Sequence, residues 1–232
     1  MDAAALTNRL RLLAKRALFG LGSLPYAWLT RQPIWRSHTA ALVDFAGVNP
    51  EDVRQVVDLG CGPGTSAFGL ADRLPRARVV GVDLSPQMIA LSRRYAAREP
   101  PHPGGLEFVV ADARRMPAES GTVDLVTGHS FVYLVGDDAG LGAELSRVLR
   151  PGGRCVFLEP SGEPFPLRLL ARALRDTRFV LSMVLWRTVS RGAGRFTRAR
   201  FEQLFRAAGL ETLSVTPTLD GLGLVGAARK PG

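Results

Sequence analysis

Val56-Val57-Asp58-Leu59-Gly60-Cys61-Gly62-Pro63-Gly64-Thr65 is an apolar run that breaks into a glycine-rich turn with an acid just ahead of it. Val56, Val57 and Leu59 have the composition of a buried parallel strand. Gly60, Gly62 and Gly64 lack the β-carbons that would hold a ligand away from the backbone. The residues from Thr65 to Arg73 are predicted to form a helix, capped by Thr65 or Ser66, whose first N–H groups aim at whatever sits over the glycines. Strand, turn and helix in this order predict an α/β fold with a small-molecule site.

The glycine spacing separates two ligand classes. Dinucleotide sites use G-x-G-x-x-G and place a pyrophosphate on the helix end. Here the turn is G-x-G-x-G, and Asp58 stands two residues before the first glycine. A carboxylate in that position repels a pyrophosphate but suits a cationic ammonium, held directly or through water. Arg78 to Val82 is predicted to form the next strand, and Asp83 at its end can accept both hydroxyls of a ribose. Leu84-Ser85-Pro86-Gln87-Met88 then opens a helix, with Ser85 as cap and Pro86 in the first turn. Adenosine carrying an amino-acid tail satisfies both acids.

With these residues in view the chain resembles the class I S-adenosylmethionine-dependent methyltransferases, in their small-molecule, type 11/25-like branch. Asp58 to Gly64 resembles the first motif of that family, and Gly81 to Met88 its ribose-binding motif. Ala111-Asp112-Ala113 is similar to the adenine-flanking acid, Val123-Asp124-Leu125-Val126 to the fourth strand, and Leu149 to Arg154 to the turn before the fifth. The resemblance is strong from about Glu51 to Glu159 and looser beyond. It implies a Rossmann-like, seven-stranded, mostly parallel sheet with helices on both faces and an antiparallel final strand. It also implies S-adenosylmethionine as cofactor and S-adenosylhomocysteine as product. The implied cofactor contacts are Asp58, Gly60, Cys61, Gly62, Gly64, Asp83, Leu84, Met88, Asp112, Ala113 and His129. Read alone, Asp112 equally suits a helix cap before Arg114-Arg115-Met116, and Asp124 suits a structural partner at a strand start.

A chain of 232 residues, 46% hydrophobic and 22% charged, has enough apolar material for one folded domain with additions, which excludes general disorder. Residues 1–50 are expected to form an N-terminal helical extension that covers the cofactor, and 51–232 the methyltransferase domain, with a helical lid insertion at 160–195 after the fifth strand. Cys61 and Cys155 give neither a disulfide framework nor a metal spacing, so no metal is expected. No apolar run approaches the roughly 18 to 20 residues of a membrane span, and the N-terminus lacks the apolar core of a signal peptide. These features suit a reducing cytoplasm.

The positive charge is unevenly placed. The net charge of +9 comes from the flanks: residues 160–206 carry ten basic and three acidic side chains, residues 1–50 six and two, and residues 51–159 twelve and fourteen. Leu6 to Phe19 reads as an amphipathic helix with Arg11 and Lys15 off its apolar face, suited either to packing on the domain or to a membrane interface. Arg168, Arg172, Arg175 and Arg178 recur at helical spacing before the apolar run Phe179 to Trp186. That segment is expected to carry substrate choice, with Tyr133, Arg168, Arg172, Phe179, Met183 and Trp186 on the acceptor side. Apolar residues beside arginines suit a lipophilic acceptor or an anionic membrane surface.

Gly128-His129-Ser130-Phe131 follows the fourth strand, where ligands of such sheets sit. His129 is the candidate base, and Phe131 or Tyr133 could face a sulfonium. Trp35, Arg36 and His38 are candidates for contacts from the N-terminal cover, though core packing also suits Trp35. No Asn/Asp-Pro-Pro-Tyr/Phe sequence follows the fourth strand, which disfavours methylation of base or glutamine amines. The acceptor is therefore expected to be a small molecule of quinone, polyketide, sterol or phospholipid type. Two alternatives stay open: an RNA methyltransferase using the arginine-rich flanks, disfavoured because those flanks carry few aromatics for base stacking, and a non-catalytic cofactor-binding or peripheral membrane protein. Oligomeric state is not encoded in any feature of the sequence.

Overall fold

The computed structural model describes residues 33–164, 176–190 and 194–232. The predicted helix at residues 6–19 and Arg168, Arg172 and Arg175 fall outside these residues. Two short helices, α1 (Pro33–Ala40) and α2 (Leu42–Ala46), lead into β1 (Gln55–Leu59), α3 (Thr65–Arg73), β2 (Arg78–Asp83), α4 (Pro86–Ala96) and β3 (Leu106–Val110). There follow β4 (Val123–His129), α5 (Val132–Val135), α6 (Asp138–Val148), β5 (Leu149–Pro160), α7 (Thr177–Ser190), α8 (Arg198–Ala207), β6 (Glu211–Thr218) and β7 (Gly223–Arg229).

The seven strands form one sheet in the order β3-β2-β1-β4-β5-β7-β6. β1 to β5 run parallel, while β7 is antiparallel to both β5 and β6. The chain reverses direction across the sheet at β1, so the ends of β1 and β4 flank the crevice where open α/β sheets take ligands. Val56, Val57 and Leu59 are all buried because helices cover both faces. One apolar core joins α1, α2, α3 and α7 to the sheet through Trp35, Leu42, Phe68, Leu70, Met183 and Trp186. The other joins α5, α6 and α8 through Val132, Leu141, Leu145, Phe201 and Phe205.

Two local differences from the sequence reading have simple causes. The helical extension expected before residue 51 is interrupted at Ala41, and its last piece ends at Gly47 in the left-handed region (φ 63°). The turn expected at Leu149 to Arg154 is part of β5 instead, because Leu149 already pairs with Val123 before a register shift brings Arg154 opposite Leu125.

α1 lies tightly against α3. A β-carbon at Gly69 would meet the Arg36 carbonyl oxygen at 2.5 Å, so the small residue is what permits the approach. Arg36 then reaches Asp72 on α3 (2.7 Å) and Glu99 (3.2 Å), which makes it an anchor of α1 rather than a ligand contact.

Candidate active site

The turn after β1 is pinned to the end of β2. Cys61 N–H donates to the Val82 carbonyl (3.0 Å), and Gly62 N–H donates to Asp83 Oδ2 (3.0 Å). Asp83 Oδ1 accepts the Ser85 N–H (2.8 Å), which starts α4, where the Ser85 hydroxyl accepts Met88 N–H as predicted. Burial raises the Asp83 carboxyl, and the two backbone N–H groups offset part of that rise. A carboxylate has about four lone-pair positions, so Asp83 keeps capacity for two further hydroxyls. Leu84 beside it is half exposed at 51%, whereas Met88 is buried beneath the turn.

Gly62 and Gly64 have φ of 52° and 94°, a region that side chains with a β-carbon seldom enter. Gly60 serves a different purpose: a β-carbon there would meet Phe131 Cβ at 2.5 Å. Cys61 turns its thiol inward beside Gly81, where burial pushes its pKa up, so its contribution to the turn is made through the backbone. Neither Thr65 nor Ser66 caps α3; Gly64 occupies the cap position, with no side-chain bond. Ser66 is turned down onto Asp58, while Thr65 Oγ1 is enclosed without any partner.

For Asp58 the structure removes the direct form of the expected contact and leaves the water-mediated one. Its side chain is fully buried and accepts the Ser66 hydroxyl (2.5 Å) and the Thr127 hydroxyl (2.8 Å). Desolvation raises its pKa to about 6. It therefore ties β1, α3 and β4 together under the turn, and a direct contact with a cationic group is sterically closed. Asp112, after β3, is held by Arg114 through Nε (3.0 Å) and Nη2 (2.6 Å), an ion pair that lowers its pKa. Ala111 N–H donates to the Asp83 carbonyl (3.2 Å), which brings this loop alongside the ribose position. Asp124 is structural, as expected, accepting Arg54 N–H, Gln55 N–H and the Arg150 side chain.

At the end of β4 three rings converge. His129 lies 4.8 Å from Trp35 and stacks on Trp186 at 5.8 Å with an interplanar angle of 16°. Trp35 and Trp186 meet edge to face at 5.8 Å. Each indole N–H is satisfied across the cluster: Trp35 Nε1 donates to Ser182 Oγ (3.0 Å), and Trp186 Nε1 donates to Ser130 Oγ. His129 keeps some exposed surface, yet its Nε2 is enclosed with no partner. Burial drives its pKa down to about 3, with a smaller push from His38. At neutral pH the ring is uncharged. Its conjugate acid is too strong for effective proton abstraction, so the general-base role expected from the sequence is not supported by this environment.

α7 divides the remaining expectations. Phe179, Met183 and Trp186 are buried on its inner face, within the core shared with α1 and α3. Tyr133 is not with them. Ser130, at φ 57°, turns the chain so that Val132 and Tyr133 pack among the α6 and α8 residues on the opposite side of the sheet. Phe131 is also internal, with its ring against Phe157 (5.7 Å) and over Gly128. Neither ring faces the crevice.

Glu159, at the end of β5, was missed in the sequence, although an acid ending an apolar strand is the same signal that singled out Asp83. It is fully buried, and its Oε1 accepts the N–H groups of Phe131 (3.1 Å) and Val132 (3.0 Å), so it fixes the loop after β4. Desolvation raises its pKa to about 8. A 360 Å³ cavity between α4 and β3 is lined by Arg93, Ala96 and Leu106 to Val109. Among the described residues no group of three or more His, Cys, Asp or Glu side chains could hold a metal ion.

The family described as "Methyltransferase domain" matches residues 56–153. The matched stretch is a methyltransferase domain. It is similar to the trans-aconitate 2-methyltransferase of Streptomyces coelicolor, at 38% identity over 130 residues that cover 56% of this chain and 42% of that protein. It is also similar to the demethylmenaquinone methyltransferase of Lactococcus lactis, at 29% identity over 187 residues, 76% of this chain and 71% of the other. Among solved structures, the geranyl diphosphate C-methyltransferase of Streptomyces coelicolor, crystallised with S-adenosylhomocysteine, superposes with a TM-score of 0.60 at 20% identity, covering 83% of this chain and 79% of that one. The chain spans about half the length of the curated relatives it matches.

The cofactor of this methyltransferase family, S-adenosylmethionine, fits the residues present. Asp83 retains acceptor capacity for two ribose hydroxyls, and Leu84 offers an exposed apolar edge beside it. The uncapped start of α3 and the partnerless Thr65 hydroxyl leave donors for a carboxylate tail.

Proposed function

We propose that this protein transfers the methyl group of S-adenosylmethionine to a small acceptor with an apolar body, taken up at an anionic membrane surface. The carrying observation is α7, which is apolar on both sides. Phe179, Met183 and Trp186 are buried against the core, while Leu181, Val184 and Leu185 stand outward, 62%, 43% and 43% exposed. A helix apolar all round calls for cover on both faces. The arginine-rich segment 160–206 around it is complementary to anionic lipid. No helix among the described residues is long and apolar enough to cross a membrane, so the contact proposed is peripheral. Relatives named for trans-aconitate and demethylmenaquinone support a small acceptor.

When bound, the cofactor supplies a methyl group already activated by its sulfonium. The chain has three tasks: to hold the cofactor, to keep an acceptor atom in line at about 3 to 3.5 Å, and to exclude water. Asp83 and the turn at Gly60 to Gly64 serve the first. Trp35 and Trp186 wall the crevice with apolar surface and bear on the other two. His129, neutral and with Nε2 unpartnered, offers one hydrogen bond that orients an acceptor hydroxyl without becoming charged.

The test incubates the protein with methyl-labelled S-adenosylmethionine and a cell extract, with Asp83→Ala as control, and separates organic-soluble label from label in RNA and protein. Label in the organic phase that depends on Asp83 is expected. Label confined to macromolecules would overturn the small-acceptor reading and make the arginine-rich flanks a docking surface for nucleic acid or protein.

A further inference from the structure

Arg187, on α7 one residue after Trp186, is 5% exposed. Its Nη1 donates to the Ser161 carbonyl (2.7 Å) and its Nη2 to the Glu163 carbonyl, so its terminal nitrogens bridge α7 to the chain just after β5. Its Nε is enclosed with no partner. Arg195 repeats the pattern: Nη2 donates to the Arg187 carbonyl (3.2 Å), and Nε is again enclosed without a partner. No ion pair among the described residues involves either guanidinium. The nearest acid acting on Arg187 is Glu163, whose side chain points to solvent and forms no ion pair with it. Two cations thus sit side by side, hydrogen-bonded to neutral carbonyls alone.

Such an arrangement is costly. A buried cation is normally paired, and an enclosed N–H left unmade forfeits its hydration with no return. Burial and the neighbouring Arg195 both push the Arg187 pKa down, more than Glu163 pulls it up. The position matters as much as the charge. Ser161 continues β5, the strand beside β4, and the adjacent Trp186 bonds Ser130 at the end of β4. The pair is therefore anchored beside the ends of β4 and β5, with both Nε atoms enclosed there.

We propose that Arg187 and Arg195 form an oxyanion site that receives a carboxylate or phosphate group of the methyl acceptor. The assignment of that group to the acceptor rests on the methyltransferase reading. The acceptor class is then an apolar molecule with one anionic end.

Calorimetry on the full chain tests this with two probes, inorganic phosphate and dihexanoyl phosphatidic acid below its micelle concentration, each titrated with and without S-adenosylhomocysteine. At least one probe should bind, and Arg195→Gln should weaken that binding tenfold or more while S-adenosylhomocysteine affinity stays unchanged. Arg187→Lys, which keeps the charge but loses the Nε edge, should weaken it as well. Arg73→Gln, an exposed pair with Asp44 on α3, should have no effect. Binding of both probes places a free oxyanion in the site, whereas binding of the lipid alone assigns it to a phospholipid headgroup. If neither probe binds, or both bind Arg195→Gln as tightly as wild type, the proposal is overturned. Failure of S-adenosylhomocysteine to bind would sink the cofactor reading instead, and phosphate binding by the apo protein would still be judged by the same substitutions.

Discussion

At the scale of single residues, the end of each central strand sets what its acid can do. Asp83 stays at the rim, and its loss removes both the acceptors for the ribose hydroxyls and the anchor of the Gly62 and Ser85 N–H groups, so Asp83→Ala is expected to weaken S-adenosylhomocysteine binding about tenfold or more by calorimetry. Glu159 is sealed in. Burial holds its proton to about pH 8, against an ordinary value of 4.5, so between these values the native state binds more protons than the unfolded chain. Its contribution to stability is therefore largest at low pH and declines as pH rises from about 4.5 to 8. Glu159→Gln keeps an oxygen for the Phe131 and Val132 N–H groups and abolishes the titration, so the decline in melting temperature across that window should flatten. An unchanged slope would mean that the carboxyl ionises normally. Gly128 tests packing instead. A β-carbon there would meet Phe131 Cε1 at 2.2 Å, so Gly128→Ala should cost about 1–3 kcal/mol in denaturant unfolding. Phe131→Ala in the same chain should recover part of that loss, and strict additivity of the two changes would refute the clash.

At the scale of elements, α7 is the piece whose two faces have separate work. Replacing Leu181, Val184 and Leu185 with serine spares the buried face of α7, so the fold should persist while sedimentation with phosphatidylglycerol vesicles drops several-fold. Equal sedimentation would leave the outer face without a membrane role. The parallel core was legible because each element carried a local signal: Thr65 to Arg73 begins after a glycine turn, and Ser85-Pro86 marks the start of α4. Other features depended on distant partners and left no local trace. Asp58 looked like a ligand contact because its fate depends on Thr127, 69 residues away, and on a serine that was expected to cap its own helix. Tyr133 looked like a crevice residue until the positive φ at Ser130 sent it to the other side of the sheet. Sequence named Trp186 and Trp35 separately, but only the folded chain brings both rings against His129.

At the scale of the whole molecule, charge is segregated: the cofactor-binding core is slightly acidic and the positive excess lies in its flanks. Attraction of that kind is screened within about 10 Å at 0.1 M salt, so vesicle binding should weaken steeply between low and high salt in wild type. Binding that survives 0.5 M salt would instead assign the association to the apolar face of α7. The aromatic cluster offers a way to watch these events directly. The chain has three tryptophans, and two of them, Trp35 and Trp186, border His129 with their indole N–H groups bonded to serines on neighbouring elements. Intrinsic emission from this protein is thus reported largely from the crevice itself, so that filling, drying or prising open the gap between α1, α7 and β4 writes its own optical record in a stopped-flow trace, with no label attached.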